Sequence, residues 1–196
     1  MEKLSIEERL FKITQHINQC INCSLHETRT NVVPGAGSIS NKIMFIGEAP
    51  GKEEDLQGRP FVGRSGKLLN ELIEAALQMK RDEVYISNIL KCRPTEKNEN
   101  FRDRPPMKTE IKQCIGFIKE EIEIIKPHAI ITLGATATKA FVDSKDNLTK
   151  IRGKSFMFNG CKVCPTFHPS YILRNGGVNS RTFLLTMQDI KKSLSK

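Results

Sequence analysis

Four carboxylates, Glu48, Glu53, Glu54 and Asp55, crowd into one Gly/Pro-rich stretch, residues 42–66 (KIMFIGEAPGKEEDLQGRPFVGRSG). Acids at this density suit two kinds of chemistry: orienting a water molecule, or gathering a magnesium ion for hydrolysis. Phe61 lies in the same polar stretch, where no core periodicity accounts for it. Pro50-Gly51, Gly58 and Gly63 let backbone come close to a ligand and adopt φ values that other residues avoid. The plain alternative is an acidic surface loop with one anchoring phenylalanine. Six cysteines form a second chemical set: two CxxC pairs, Cys20/Cys23 and Cys161/Cys164, with single Cys92 and Cys114. Spacing alone would join the two pairs into a zinc site. Yet Cys161 and Cys164 open a predicted strand, where an odd offset sends side chains to opposite faces. Cys20 and Cys23 follow a helix end, where a knuckle aims both thiolates at one ion. Cys92 begins a loop, and Cys114 lies on the apolar stripe of a helix, where a small core residue is also expected. The sets 20/23/92/114 and 20/23/161/164 therefore stand level on spacing, and a Cys161–Cys164 disulfide is a third arrangement.

Elements must position these groups. Ile43-Met44-Phe45-Ile46 reads as a strand buried on both faces, as in a parallel sheet. Loops at the carboxyl ends of such strands are where α/β proteins hold ligands. The pattern predicts helices over 5–18, 66–79, 109–125, 134–142 and 179–193. Ser5 and Glu8 have capping-box spacing, and Ser65 is expected to cap the second helix. Further strands are expected at 84–87, ending in Asn88, and at 128–133. Residues 155–158 and 161–167 flank Asn159-Gly160, a strong hairpin signal, and the second arm leads to His168-Pro169-Ser170-Tyr171. Residues 28–41 and 144–153 read as loops. Gly66-Lys67 is not a P-loop, since Phe61 and Leu68 replace its glycine and hydroxyl residue. Strands alternating with helices imply a three-layer α/β domain with a mostly parallel sheet.

The 196 residues carry 31 Lys and Arg against 22 acids, a formal charge of +9. That balance favours a polyanionic partner such as nucleic acid, although generic basicity gives the same total. Their length suits a single domain over 1–196 with a real core. No run approaches the ~18 apolar residues of a membrane span, so no membrane contact is expected. MEKLSIEERL lacks a signal peptide's apolar segment, which points to the cytoplasm, where thiols hold metals before disulfides.

GEAPGKEED followed by GRPFVGRSG, then NILKCRP, then HPSYILRN resembles the family-4 uracil-DNA glycosylases, the thermostable iron–sulfur branch of that superfamily. The resemblance spans residues 20–175. It implies an α/β/α fold with a four-stranded, mostly parallel sheet and excision of uracil from DNA. It also implies a 4Fe–4S cluster held by Cys20, Cys23, Cys92 and Cys114. One departure is the segment TEKNENFRDRPP, longer than the family's, in which either Asn98 or Asn100 stands as the counterpart of the family asparagine. Another contrast is Ala49, where family-1 enzymes carry a water-positioning aspartate. A KRRIH-type insertion of the cross-linking relatives is absent.

Under this resemblance the roles are concrete. A base to be excised must leave the duplex for a pocket. Phe61 is the stacking wall. Asn88 reads uracil O4 and N3–H and rejects cytosine, whose exocyclic amine reverses the pattern. His168 donates to O2 as charge grows on the departing base. Gly47, Glu48 and Ala49 line the pocket, Glu48 orients water or holds the loop, and Glu54 contacts the uracil C5 position or a water. Leu173 is the expected minor-groove wedge in a loop at 171–175, with Arg174 on phosphate. Arg59, Arg64, Arg93, Arg102 and Arg104 are expected to supply salt-dependent affinity. His16, His26 and His128 receive no role. The protein is expected to work as a monomer, with contact to a replication clamp. Two rivals come from other classes: a non-catalytic iron–sulfur module binding single-stranded DNA, and a magnesium hydrolase built on the acidic loop.

Overall fold

The computed structural model describes residues 4–96 and 101–194. Asn98 and Asn100 lie outside them. The chain opens with α1 (Ile6–Asn18), capped by Ser5 as its spacing predicts. The Glu8 N–H donates to Ser5 Oγ (3.1 Å) and the Ser5 N–H to Glu8 Oε2 (2.8 Å). Then follow β1 (Ala36–Gly37), β2 (Ile43–Gly47), α2 (Lys52–Gln57), α3 (Arg64–Leu77), β3 (Tyr85–Asn88), α4 (Lys108–Ile125), β4 (Ala129–Leu133), α5 (Ala135–Lys139), α6 (Leu148–Ile151), β5 (Phe156–Phe158), β6 (Cys161–Thr166), α7 (Pro169–Arg174) and α8 (Arg181–Ser193).

The sheet has six strands in the order β1-β3-β2-β4-β6-β5. The middle four are parallel, and the outer two pair antiparallel at either edge. The four-stranded sheet expected from the resemblance is thus the parallel centre of a wider, mixed one. Two side chains of β2, Met44 and Ile46, join the core beneath α4, while Ile43 and Phe45 join the core beneath α3 and α8. This alternation on a strand buried throughout gives the three layers. The hairpin turn forms at Asn159-Gly160, both at positive φ (47° and 79°), as a tight two-residue turn demands.

Several local expectations give way, among them the loops at 28–41 and 144–153, which hold β1 and α6. Gly63, not Ser65, occupies the cap position of α3, because the helix starts at Arg64 rather than Gly66. Residues 52–57 and 169–174 are short helices rather than loops. Each is too short to show a periodic stripe, so pattern reading misses it. Among the described residues no helix is long and apolar enough to cross a membrane.

The strand order reverses direction at β2: β3 lies on one side and β4 on the other. A crevice therefore opens above the carboxyl ends of the parallel strands. Under it lies a buried charged group. The Lys91 ammonium donates to Glu121 Oε2 (2.9 Å) and Ser87 Oγ (2.7 Å), with both ionic side chains 1% exposed. Tyr85 joins Glu121, and burial followed by the glutamate's charge raises its phenol well above the usual range. Breaking such a pair on one side costs more than replacing it whole. We expect Glu121→Ala to lower the unfolding free energy by about 3–5 kcal/mol. The double replacement Lys91→Met with Glu121→Leu should lose less in the same urea titration. A single variant no worse than the double would remove the pair from the balance of stability.

Candidate active site

The crevice is lined by Glu48, Ala49 and Pro50 from the end of β2, Glu54 from α2, Phe61, Pro94, Asp103, Arg104, and His168 with Ser170 from the start of α7. Phe61 and His168 stand side by side, ring centroids 5.8 Å apart and planes tilted by 38°. Asn88 ends β3 close to Phe61. A Cβ added to Gly47 would collide with both the Asn88 amide oxygen and the Phe61 ring. The glycine at the end of β2 is thus what lets these two side chains approach. Phe61 thus neighbours Asn88 on one side and His168 on the other, linking three segments far apart in sequence.

Phe61 is 6% exposed, so its ring is part of the core as well as the crevice wall. Its backbone has φ 52°, a left-handed conformation that costs a non-glycine residue about 1–3 kcal/mol. Several groups hold it there. The Arg81 guanidinium donates to the Phe61 carbonyl (2.9 Å) and to the Pro60 carbonyl. Burial is the chief cause that lowers the Arg81 pKa. Glu54 accepts the N–H groups of Val62 and Gly63 (2.8 Å each) with one oxygen and that of Gly51 (3.1 Å) with the other. A Cβ on Gly66 would strike the Phe61 carbonyl. Glu54, expected at the base's C5 edge or on a water, therefore spends its carboxylate on clamping the loop. Asp55 likewise accepts from the backbone of Thr30 and Asn31. Two of the four acids expected to gather a magnesium ion are committed elsewhere.

Asn88 is 1% exposed, and its Oδ1 has no hydrogen-bond partner. A buried acceptor left unpaired costs about 1–3 kcal/mol, so it signals a donor supplied from outside. His168 caps α7: the Ser170 N–H donates to Nδ1 (3.1 Å), and Ser170 Oγ lies 2.8 Å from the same nitrogen. Nδ1 is then the acceptor, which places the ring proton on Nε2. Burial, with the Arg174 charge adding to it, pushes the imidazole pKa down to about 4. The ring is neutral at pH 7. The Glu48 carboxylate lines the crevice and makes no hydrogen bond among the described residues, while its carbonyl accepts from Leu90 (3.0 Å).

A second pocket is lined by Cys20, Cys23, Cys92 and Cys114 together. Arg29 Nη1 lies 3.3 Å from Cys92 Sγ, and the Lys91 N–H 3.3 Å from Cys114 Sγ. Burial raises both thiols, Cys114 to about 12. Cys161 and Cys164 are free and point to opposite faces, toward the α4 core and toward Asp189 of α8. Among the described residues no three metal-binding side chains close around a single ion. A four-iron cluster spreads its cysteines more widely than one tetrahedral ion does.

Sequence comparison closes the question of family. The model of the uracil DNA glycosylase superfamily matches residues 34–191. A type-4 uracil-DNA glycosylase of Thermotoga maritima is 45% identical over 191 residues, covering 96% of this chain and 95% of that protein. The chain belongs to the type-4 uracil-DNA glycosylases. Proteins of the same name from Sulfurisphaera tokodaii (40% over 194 residues; 94% of this chain, 83% of that one) and Archaeoglobus fulgidus (37% over 174; 85% and 84%) agree.

In this glycosylase the outer residues are placed less simply than the inner ones. Leu173 is half-buried against the α3–α8 core, on a helix rather than a loop, while Arg174 is exposed and Tyr171 is 41% exposed and stacked on Phe167. Of the five arginines expected on phosphate, Arg93 is tied to Asp103 and Arg104 to Glu110. Arg59, Arg64 and Arg102 are exposed. Arg81, Gly66 and Ser170 escaped sequence reasoning. Only Ser170 left a local signal, a hydroxyl two residues after a histidine that precedes proline. We expect Glu54→Ala to cost roughly 2 kcal/mol of stability, since three N–H groups lose a charged acceptor. Its exposed neighbour, as Glu53→Ala, should change the melting midpoint little. Equal effects from the two would deny the clamp.

Proposed function

We propose that this chain excises uracil from DNA, releasing the free base and leaving an abasic site with the backbone intact. The observation that carries the reading is the orphaned Asn88 oxygen, close to the Phe61 ring, which in turn stands beside a neutral His168. Uracil supplies what is missing: N3–H donates to Asn88 Oδ1, and O4 accepts from the amide nitrogen. Cytosine presents an acceptor at N3 and an amine at C4, so both contacts fail. Phe61 stacks on the base, which must be turned out of the helix to arrive there. Nε2–H of His168 donates to O2. As the N1–C1′ bond breaks, its electrons pass to the base, and the fixed donor stabilises the uracil anion. The sugar becomes cationic at C1′, water adds there, and Glu48, with its free carboxylate, orients that water and takes its proton. Glu54 acts on the base through the loop it holds. Exposed Arg174, Arg59, Arg64 and Arg102 meet phosphates, and Leu173 with Tyr171 borders the vacated stack.

Cys20, Cys23, Cys92 and Cys114 would hold a 4Fe–4S cluster. Four thiols around one pocket, two of them with N–H groups beside the sulfur, fit that group. Bound, it supplies a covalent tie between the N-terminal segment, the end of β3 and α4. Six free cysteines suit a reducing cytoplasm.

A uracil-containing oligonucleotide in EDTA tests the activity. The expected products are free uracil and alkali-labile DNA. Binding without uracil release would favour the non-catalytic module, and EDTA-sensitive strand cleavage the metal hydrolase. His168→Asn should cost roughly 10²–10³ in kcat. Because His168 titrates near 4 rather than 6.5, kcat/KM should show no acid inflection near pH 6.5. The same depressed pKa means that the unfolded chain binds the extra proton first. The stability His168 contributes is therefore complete above pH 6.5 and lost as pH falls through about 4. An inflection near 6.5 that vanishes in the variant would refute a buried neutral ring. Cys92→Ser should abolish visible absorption and lower the melting midpoint, whereas Cys161→Ser should keep the colour. The reverse pattern would overturn the ligand set.

A further inference from the structure

The geometry points to a second base-stacking site: Phe101 is an outer platform for the nucleobase next to the extruded uracil, so the enzyme grips two successive nucleotides of the substrate strand. This rests on the uracil-excision reading. A cleft beside the active site is lined by Thr28, Thr30, Lys52, Asp55, Arg93 and Phe101. It shares two walls with the uracil pocket. The start of α2 gives Gly51 and Glu54 to the pocket and Lys52 and Asp55 to the cleft. The segment after β3 gives Pro94, Asp103 and Arg104 to the pocket and Arg93 and Phe101 to the cleft.

Phe101 is 48% exposed, yet its backbone is held at φ 41°. Burial is not what holds this conformation, since half the side chain stands in water. The Arg93 guanidinium donates to the Phe101 carbonyl (3.0 Å) and to Asp103. Thr95 pairs with Asp103, and the Glu96 N–H donates to the Arg102 carbonyl (2.9 Å), so the neck of the segment is fixed. The device repeats that at Phe61: a left-handed phenylalanine whose carbonyl is gripped by an arginine. One ring faces the pocket; the other is held out at its rim. Every nucleobase has a face that such a ring can take, whatever its sequence. Lys52 is exposed, without an internal partner among the described residues, and meets the intervening phosphate. The two acids nearby do not oppose this. Asp55 accepts from the Thr30 and Asn31 backbone, and Asp103 is paired with Arg93.

Kinetics on a single-stranded oligonucleotide with one uracil test the platform, read as free uracil released by the cluster-bearing enzyme. Phe101→Ala should raise KM roughly tenfold with kcat within about twofold, as loss of one base–aromatic stack predicts. Phe101→Trp should restore KM. Phe101→Leu, which keeps apolar bulk without a ring face, should behave like alanine. Replacing the nucleotide 5′ or 3′ of the uracil by an abasic analogue should, on one side, raise the wild-type KM to that of Phe101→Ala and leave the variant unchanged. Unaltered KM in Phe101→Ala, full rescue by leucine, or a penalty that persists with either abasic neighbour would each overturn the platform. Wild-type protein that releases no uracil would instead defeat the excision reading itself.

Discussion

A phenylalanine in left-handed backbone sits at the centre of this molecule's chemistry. Phe61 cannot hold that conformation alone, and its surroundings leave it no other. Arg81 takes its carbonyl, Glu54 takes the next two N–H groups, and Gly66 leaves room where any side chain would collide. Gly47 then lets the ring and the Asn88 amide share one space. The strain is local, but its support comes from α2, α3 and the turn before β3. A wall built this way is rigid before any base arrives, so little binding energy is lost in ordering it.

Behind this wall, the sheet and the cysteine pocket are joined by very few residues. Asn88 ends β3, Lys91 lies buried three residues on, and Cys92 follows at once. Lys91 carries its charge to Glu121 of α4 while its backbone N–H reaches Cys114 of the same helix. The Asn88 amide, proposed to read the base, and two proposed cluster ligands thus hang from one short stretch, fastened to one helix. A disturbance of the cysteine pocket has a direct route to the uracil edge. The neutral imidazole belongs to the same economy: its cap on α7 fixes the tautomer, and burial keeps the second proton away.

Much of this was legible in the sequence where physics acts locally. The parallel strands show as unbroken apolar runs, the capping box of α1 and the Asn159-Gly160 turn as spacing, and Phe61 as an aromatic out of place. Asn88 and His168 stand out because each follows a strand, where ligand loops begin. What stayed hidden is long-range. Nothing near Arg81 announces a partner 20 residues away. The edge strand β1 has two residues, too few for any period. The short helices α2 and α7 read as loops for the same reason. Glu54 reads as a contact to the uracil C5 position or a water because composition cannot show which carboxylates already accept from backbone N–H groups. The four cysteines could be chosen by resemblance but not by spacing, since three segments contribute them.

The rim of the sheet carries one more consequence. Its terminal strands are two and three residues long and run against the parallel centre. An open strand edge invites neighbours to add their own, a route to fibrils and precipitates. Here so little ladder is offered that strand-to-strand stacking of molecules has no template, even with Met157 exposed on the last strand. Crowding of one copy against another thus finds little exposed ladder at this rim to extend.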